Sequence, residues 1–215
     1  MHLRRVPFLL LFLLYKIPDR LLSRLKSNLL GWALGVGKLS VHHSARIEGH
    51  SSIKLSNGFK CGKGLWLQAI QSYNNCIYSP SIVIGSRFAC SDNLHITSIC
   101  SLTIGDDVLV GSHVLITDHN HGRYSENDSM SSPSQPPISR ILWGKSVEIG
   151  DRVFIGDCVR ILPGAKIGDG VIIACNSVVN SIIPPNTICA GIPAKPIKFY
   201  SDEAGWLHCL HPPRN

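Results

Sequence analysis

The sequence predicts an all-β chain wound as a parallel β-helix, a solenoid of short strands joined by tight turns, and three observations carry that expectation. An aliphatic residue returns every six positions from Ile149 through Ile155, Ile161, Ile167 and Ile173 to Val179. The next position is Gly or Ala in four cases (Gly150, Gly156, Gly168, Ala174), and four residues after each aliphatic stand Val153, Val159, Ala165, Val171, Ser177 and Ile183. The same phase recurs upstream in Val41, Ile47 and Ile53, in Ile84, Cys90 and Ile96, and in Ile104, Val110 and Ile116. A period of six matches neither the helical nor the simple strand repeat. It fits a strand plus a turn, with inward aliphatics stacked on copies one coil away at about 4.8 Å. Each unit buries its apolar residue only against neighbours, so the core is a column. Gly-Asp pairs such as Gly105-Asp106 and Gly168-Asp169 are expected to supply positive φ at the corners.

Residues 1–40 read as a basic arm, 41–200 as the solenoid and 201–215 as a C-terminal tail. Of the net charge of +7, the arm holds +6: Arg4, Arg5, Lys16, Arg20, Arg24, Lys26 and Lys38 stand against Asp19 alone. The near-neutral body gives no reason to expect a nucleic-acid partner. With 44% hydrophobic and 16% charged residues, global disorder is excluded. The start, Met1-His2-Leu3-Arg4-Arg5 followed by Val6 to Leu14, imitates a signal peptide, yet Tyr15-Lys16-Ile17-Pro18-Asp19-Arg20 offers no small-residue cleavage site. No apolar run reaches the roughly 18 residues of a spanning helix. From Leu21 to Leu34, leucines at helical spacing alternate with Arg24 and Lys26. This basic amphipathic helix either packs on the protein or lies on a membrane surface.

The eight cysteines include no C-x-x-C pair, which argues against a zinc knuckle or a thioredoxin-type site, and they are expected to be buried free thiols in a reducing compartment. The six-residue phase breaks between His121 and Ile149. The intervening segment, an extruded loop over 122–146, is polar and proline-rich and follows a histidine cluster, which favours a functional role.

Three stretches carry a resemblance: the repeated Ile-Gly-Asp-x-Val-x, the segment Ile116-Thr117-Asp118-His119-Asn120-His121-Gly122, and the closing Ile183-Pro184-Pro185-Asn186-Thr187 with Ala190-Gly191-Ile192-Pro193-Ala194-Lys195-Pro196. Over residues 41–200 the chain resembles the hexapeptide-repeat acyltransferases, in the branch of galactoside, maltose, Nod-factor and surface-polysaccharide O-acetyltransferases. It is most similar to bacterial capsule O-acetyltransferases acting on sialic acid polymers, particularly polysialic acid. The resemblance implies a left-handed coil, whereas parallel crossovers are normally right-handed. It also implies a homotrimer with active sites between subunits, acetyl-CoA as donor in the groove between two solenoids, no metal, and a capsule or other surface polysaccharide as acceptor. Because acetyl-CoA is a cytoplasmic metabolite, a cytoplasmic location follows, with the arm at the inner-membrane surface if it does not pack on the trimer.

Transfer of acetyl from a thioester to a sugar hydroxyl needs a base, and histidine titrates closest to neutral pH. His119, where the chain leaves the coil, aligns with the family's catalytic histidine and is expected to act as general base in direct transfer. His121 is the rival base, His113 an ordinary solenoid position, and Asp118 either orients His119 or is a corner residue. Trp143 is expected to wall the transfer site or position the acceptor hydroxyl, its indole giving a flat face and one N–H. Asn93 matches an asparagine that touches acceptor sugar in the galactoside branch. Arg87, Arg123, Arg140 and Lys145 are expected to form, with the arm, a basic track for a polyanionic acceptor, with Arg123 and Lys145 as binding residues. Corner peptides at Gly156-Asp157 and Ala174-Cys175 match positions that bind the thioester and pantetheine arm, and Lys195 and Lys198 match positions near the CoA phosphates. Cys175 departs from the family's usual Ala or Gly, and Ser181 stands where many members carry Lys or Arg. Rival classes are a three-histidine zinc site of the γ-carbonic anhydrase kind from His113, His119 and His121, an inert structural solenoid, and a small-molecule transferase acting on a sugar or a streptogramin-type antibiotic.

Overall fold

The computed structural model describes residues 6–124 and 130–209, with side chains from Asp19 onward; Arg4, Arg5, loop residues 125–129 and tail residues 210–215 lie outside the described residues. The six-residue period becomes three parallel sheets visited in rotation. The first face takes Leu39–Val41, Phe59–Cys61, Ala89–Cys90, Leu109–Val110, Phe154–Ile155, Ile172–Ile173 and Thr187–Gly191. The second takes Arg46–Glu48, Trp66–Ala69, His95–Ser98, Leu115–Thr117, Arg160–Ile161 and Val178–Val179. The third takes Ile53–Leu55, Ser81–Ile84, Ser101–Ile104, Val147–Ile149, Lys166–Ile167 and Ile182–Ile183.

The aliphatics of the repeat point inward and stack in register. Val110, Ile155, Ile173 and Cys189 form one row on the first face, and Leu67, Ile96, Ile116, Ile161 and Val179 form one on the second. All of these are fully buried. Since Ile155 is held between Val110 and Ile173, Ile155→Ala should leave a hole its neighbours cannot close. A loss of about 2–5 kcal/mol in unfolding free energy is expected, read from denaturant melts.

Two of the three corners share one device, which corrects the expectation for the Gly-Asp pairs. Positive φ falls not on the glycine but two residues later, at Arg87, Asp107, Arg152 and Asn186 on the third-to-first corner and at Asn93, His113, Cys158 and Asn176 on the first-to-second. The glycine is needed for closeness: a Cβ at Gly105 would collide with the Asp151 carboxylate. That carboxylate accepts the Asp106 N–H (2.7 Å), Asp169 accepts the Asp151 N–H (2.9 Å), and Asp157 accepts the Ser112 N–H (2.6 Å). Each aspartate thus ties one coil to the last.

The second-to-third corner is different, because both excursions leave there. One is the hairpin Ser72–Tyr73 with Cys76–Ile77, and the other begins at Asp118. The second returns through a short 3-10 turn, Pro137–Ser139, and the strand Leu142–Gly144, which pairs antiparallel with His119–His121. The hairpin braces this return: Tyr73 Oη donates to the Ile138 carbonyl (2.7 Å), and Tyr78 Oη accepts the Leu142 N–H (3.0 Å).

The arm forms a helix, Val6–Leu34, that starts well before Leu21 and runs through Pro18. It covers the open edge of the first coil. Ser27 Oγ bonds both the Val41 N–H (3.0 Å) and its carbonyl (3.1 Å), and Ser23 Oγ accepts the His43 N–H (3.0 Å). Lys26 Nζ donates to the carbonyls of His43 and Ala45 (2.8 and 2.5 Å). Asp19 meets His42 Nε2 at 3.1 Å and His43 Nδ1 at 2.9 Å. The His42 hydrogen bond, with the nearby positive charge, holds the Asp19 carboxyl below its usual range. Such side-chain partners satisfy an edge strand that would otherwise offer unpaired backbone groups. At the other end, Thr187–Gly191 continues the first face, and the chain then reverses into antiparallel strands Ala194–Ser201 and Gly205–His208, so much of the expected tail is sheet.

The cysteine expectation is corrected in one pair, and in burial for every free thiol but Cys189. Cys61 and Cys90, 29 residues apart, are disulfide-bonded, because they stand in register on adjacent coils with Cα atoms 4.7 Å apart. Six cysteines are free, among them the exposed Cys175 and the buried Cys189, whose thiol burial pushes up to about 11.

Candidate active site

The excursion at the second-to-third corner is held open by its two ends. The Lys145 N–H donates to the Asp118 carbonyl (2.8 Å), and a Cβ at Gly144 would strike that same carbonyl, so only glycine lets the returning strand approach. Asp118 is completely buried. Its carboxylate accepts Ser98 Oγ–H at 2.6 Å, the Ile99 N–H at 2.9 Å and the Cys100 N–H at 2.8 Å. The remaining contact is His119 Nδ1, 3.1 Å away. A carboxylate only accepts, so Nδ1 is the donor, and in the neutral ring Nε2 is the nitrogen left to accept a proton. Thr117 Oγ1 also lies 3.4 Å from Nδ1 and accepts the His119 N–H at 3.3 Å, further fixing the ring. Asp118 therefore orients His119 and is not a free corner residue.

The ring of His119 is only 8% exposed in the single chain. It lines a cleft of about 610 Å³ on the outer side of the second face, together with Trp66, Gln68, Tyr73, His95, Thr97, Thr117, His121 and Leu162. It faces away from the packed column. Two aromatics unforeseen from the sequence sit beside it: Trp66 and His95 stand in register on adjacent coils, rings stacked 4.2 Å apart. Burial, and then the proximity of His119, push the His95 imidazole below its usual range, which favours its neutral form. Cys100, beneath the site, is a poor nucleophile: burial and the Asp118 charge push its thiol up. His121 shares the cleft but is engaged at its edge, with Nδ1 3.3 Å from Tyr73 Oη. His113 is a first-to-second corner residue at φ 59, away from both.

Trp143 is not among the residues that line the His119 cleft. In the two-stranded ribbon His119 is opposite Gly144 and Asn120 opposite Trp143. Strand alternation therefore puts Trp143 on the ribbon's other side. There it gathers two cations, Lys145 Nζ 5.4 Å and Arg123 Cζ 5.9 Å from its ring centre. The wider basic track is corrected. Arg87 is committed to Asp106 and Asp107 on the far corner. Arg140 braces the loop through the Gln135 carbonyl and Tyr124 Oη (3.0 and 2.9 Å). The arm caps the first coil.

Of the expected donor residues, Gly156-Asp157 and Ala174-Cys175 stand at the first-to-second corner; Asn93, expected to touch the acceptor, stands at the same corner two coils before Asp157 and next to His113 (Asn93 Nδ2 to His113 Nε2, 3.5 Å). Lys195 lies opposite Ala190 and Lys198 opposite Ile188 in the closing antiparallel pair. Two corner peptides are not free to bind a ligand as expected: the Gly156 N–H donates to Ile173 and the Ala174 N–H to Cys189 (both 2.9 Å), as ladder bonds. At Asp157 the next coil offers Cys175, whereas Asp106 and Asp151 each meet a carboxylate there. Asp157 and Cys175 border a hollow of about 240 Å³ with Ser91, Leu109, Gly111 and Phe154. In one chain, the histidine group and this group occupy different corners.

Residues 146–181 match the family described as "Bacterial transferase hexapeptide (six repeats)". The chain is 45% identical over 157 residues, 73% of its length, to the Escherichia coli (strain K12) protein WbbJ, named for O-acetyl transfer in lipopolysaccharide biosynthesis, and covers 76% of it. It is 30% identical to the galactoside O-acetyltransferase of the same organism, over 75% of this chain and 73% of that one. A solved maltose O-acetyltransferase from Clostridium difficile 630 superposes with a TM-score of 0.51 at 27% identity, covering 85% of this chain and 84% of the other.

Proposed function

The chain belongs to the hexapeptide-repeat acetyltransferases, and on that premise we propose that it transfers acetyl from acetyl-CoA to a hydroxyl of a bacterial surface polysaccharide, with sialic acid residues of a polysialic acid capsule as the preferred acceptor. One observation supports this above others: an imidazole whose Nδ1 is fixed by a buried carboxylate while the ring borders a cleft wide enough for a sugar. His119 Nε2 takes the proton as the acceptor oxygen attacks the thioester carbonyl. The tetrahedral intermediate collapses with cleavage of the C–S bond, and the imidazolium returns the proton to the departing CoA sulfur. No acyl-enzyme is needed.

The donor lies in a groove between protomers of a homotrimer with left-handed coils. Assembly brings the first-to-second corner of one protomer, with Asn93, Asp157 and Cys175, and the closing strand that carries Lys195 and Lys198, against the His119 corner of the next. This reading answers why one chain separates the two groups. The lysines then meet the CoA phosphates as point charges, and the Asp157 and Cys175 peptides are the corner donors for the thioester side. Trp143 with Arg123 and Lys145 receives the acceptor's carboxylates, which sets a polyanionic acceptor above a small-molecule sugar or streptogramin-type antibiotic. Where acetyl-CoA is the donor, the enzyme works on the cytoplasmic side.

Incubation with labelled acetyl-CoA and a panel of capsule polymers, neutral sugars and antibiotics tests the acceptor class. Label is expected on the sialic acid polymer, and exclusive labelling of a neutral sugar or antibiotic would remove the reading. If the Arg123–Trp143–Lys145 group holds a polyanion, raising salt should increase the acceptor KM several-fold and leave the acetyl-CoA KM far less changed. An acceptor KM indifferent to salt would exclude that role.

A further inference from the structure

The helix that caps the first coil has two unlike sides. Ser23, Lys26, Ser27 and Leu30 turn toward the solenoid and are spent on it. Leu21, Leu25, Leu29 and Trp32 are exposed at helical spacing on the other side, with Trp32 87% accessible. Leu22 extends the same apolar patch. Arg20 and Arg24 are exposed beside it. The single acidic residue in the first 40, Asp19, is drawn away toward His42 and His43. The outward side of the described helix is therefore leucine, tryptophan and arginine, with Asn28 among them and no carboxylate.

We propose that this face docks on an anionic lipid bilayer, lying in the interface plane. The chemistry is specific to that partner. Four leucines and an indole supply an apolar strip to enter the acyl boundary, Trp32 being suited to the water–lipid border. The arginines meet anionic headgroups, each contributing on the order of 1 kcal/mol. None of the helices among the described residues is long and apolar enough to cross a membrane, which fits a segment that lies on the surface. The hydrogen bonds from Ser23, Lys26 and Ser27 to the first coil fix the strip's direction, so the solenoid would stand away from the surface. The inference is independent of the acetyl-transfer reading.

The test is co-flotation of the full-length protein with phosphatidylcholine vesicles, with and without phosphatidylglycerol. Wild type should float with the anionic vesicles and lose binding as salt rises. The double variant L25E/L29E should lose at least about tenfold in partition coefficient, given the apolar area removed from the lipid. The variant R20E/R24E should bind less and show a flatter salt dependence. Both should keep the wild-type melting temperature and turnover on a soluble acceptor. Equal binding to neutral and anionic vesicles, wild-type binding by L25E/L29E, or a lowered melting temperature in that variant would each overturn the proposal. A lipid-free decrease in oligomer size on L25E/L29E would also overturn it, assigning the face to a second copy of the chain.

Discussion

Replacing His119 with Ala should lower kcat by about 10³-fold, within the span a positioned general base contributes. The KM for acetyl-CoA should stay near its wild-type value, because the expected donor contacts lie on another corner. The fold should survive: the ring borders the cleft and holds no coil to the next. Full acetyl transfer by His119→Ala would remove His119 as the base, and would move the base to His121 only if His121→Ala then abolished transfer. Single-turnover kinetics would separate loss of chemistry from loss of binding.

Asp118→Asn should have the second largest effect, and on two observables at once. The carboxylate accepts from Ser98, Ile99, Cys100 and His119. An amide brings one NH2 group into a site furnished only with donors, leaving at least one buried N–H or O–H unsatisfied. A stability loss of about 3 kcal/mol is expected from the lost charge-assisted bonds and the orphaned group. The same change permits the other histidine tautomer, so kcat should fall about 100-fold with little change in either KM. If stability falls and kcat does not, Asp118 serves the corner alone. Ser98→Ala is the control: it removes one bond, should cost about 1 kcal/mol, and should leave kcat nearly intact.

Much of the architecture was legible because the coil writes itself into the chain with a short period. Ile149 to Val179 shows it without interruption, and His119 marks itself by standing where the phase breaks. What was hidden depends on register between coils, and the coils differ in length. Partners one coil apart are 18 residues apart for Asp151 and Asp169, 20 for Ser86 and Asp106, and 45 for Asp106 and Asp151. The hairpin sets Cys61 and Cys90 29 apart, so their pairing had no local sign. Trp66 and His95 were missed for the same reason: outward strand positions carry no periodic constraint, and their stacking exists only across coils. The side of the ribbon on which Trp143 stands was hidden, because it follows from the pairing with Asn120, which the loop conceals. The corner glycines could be recognised but not explained, since what they admit is an aspartate from the following coil.

Both excursions depart from a single vertex of the triangular cross-section, while the other two are knitted by aspartates and left-handed turns. Change is thereby channelled. Lengthening the Ser72–Ile77 hairpin or rewriting the segment between His121 and Leu142 reshapes what enters the His119 cleft without disturbing the rows that hold the column upright. If the proposed division of corners holds, such a scaffold exchanges one recipient for another by editing a third of its perimeter, and the corners assigned to the donor stay as they were.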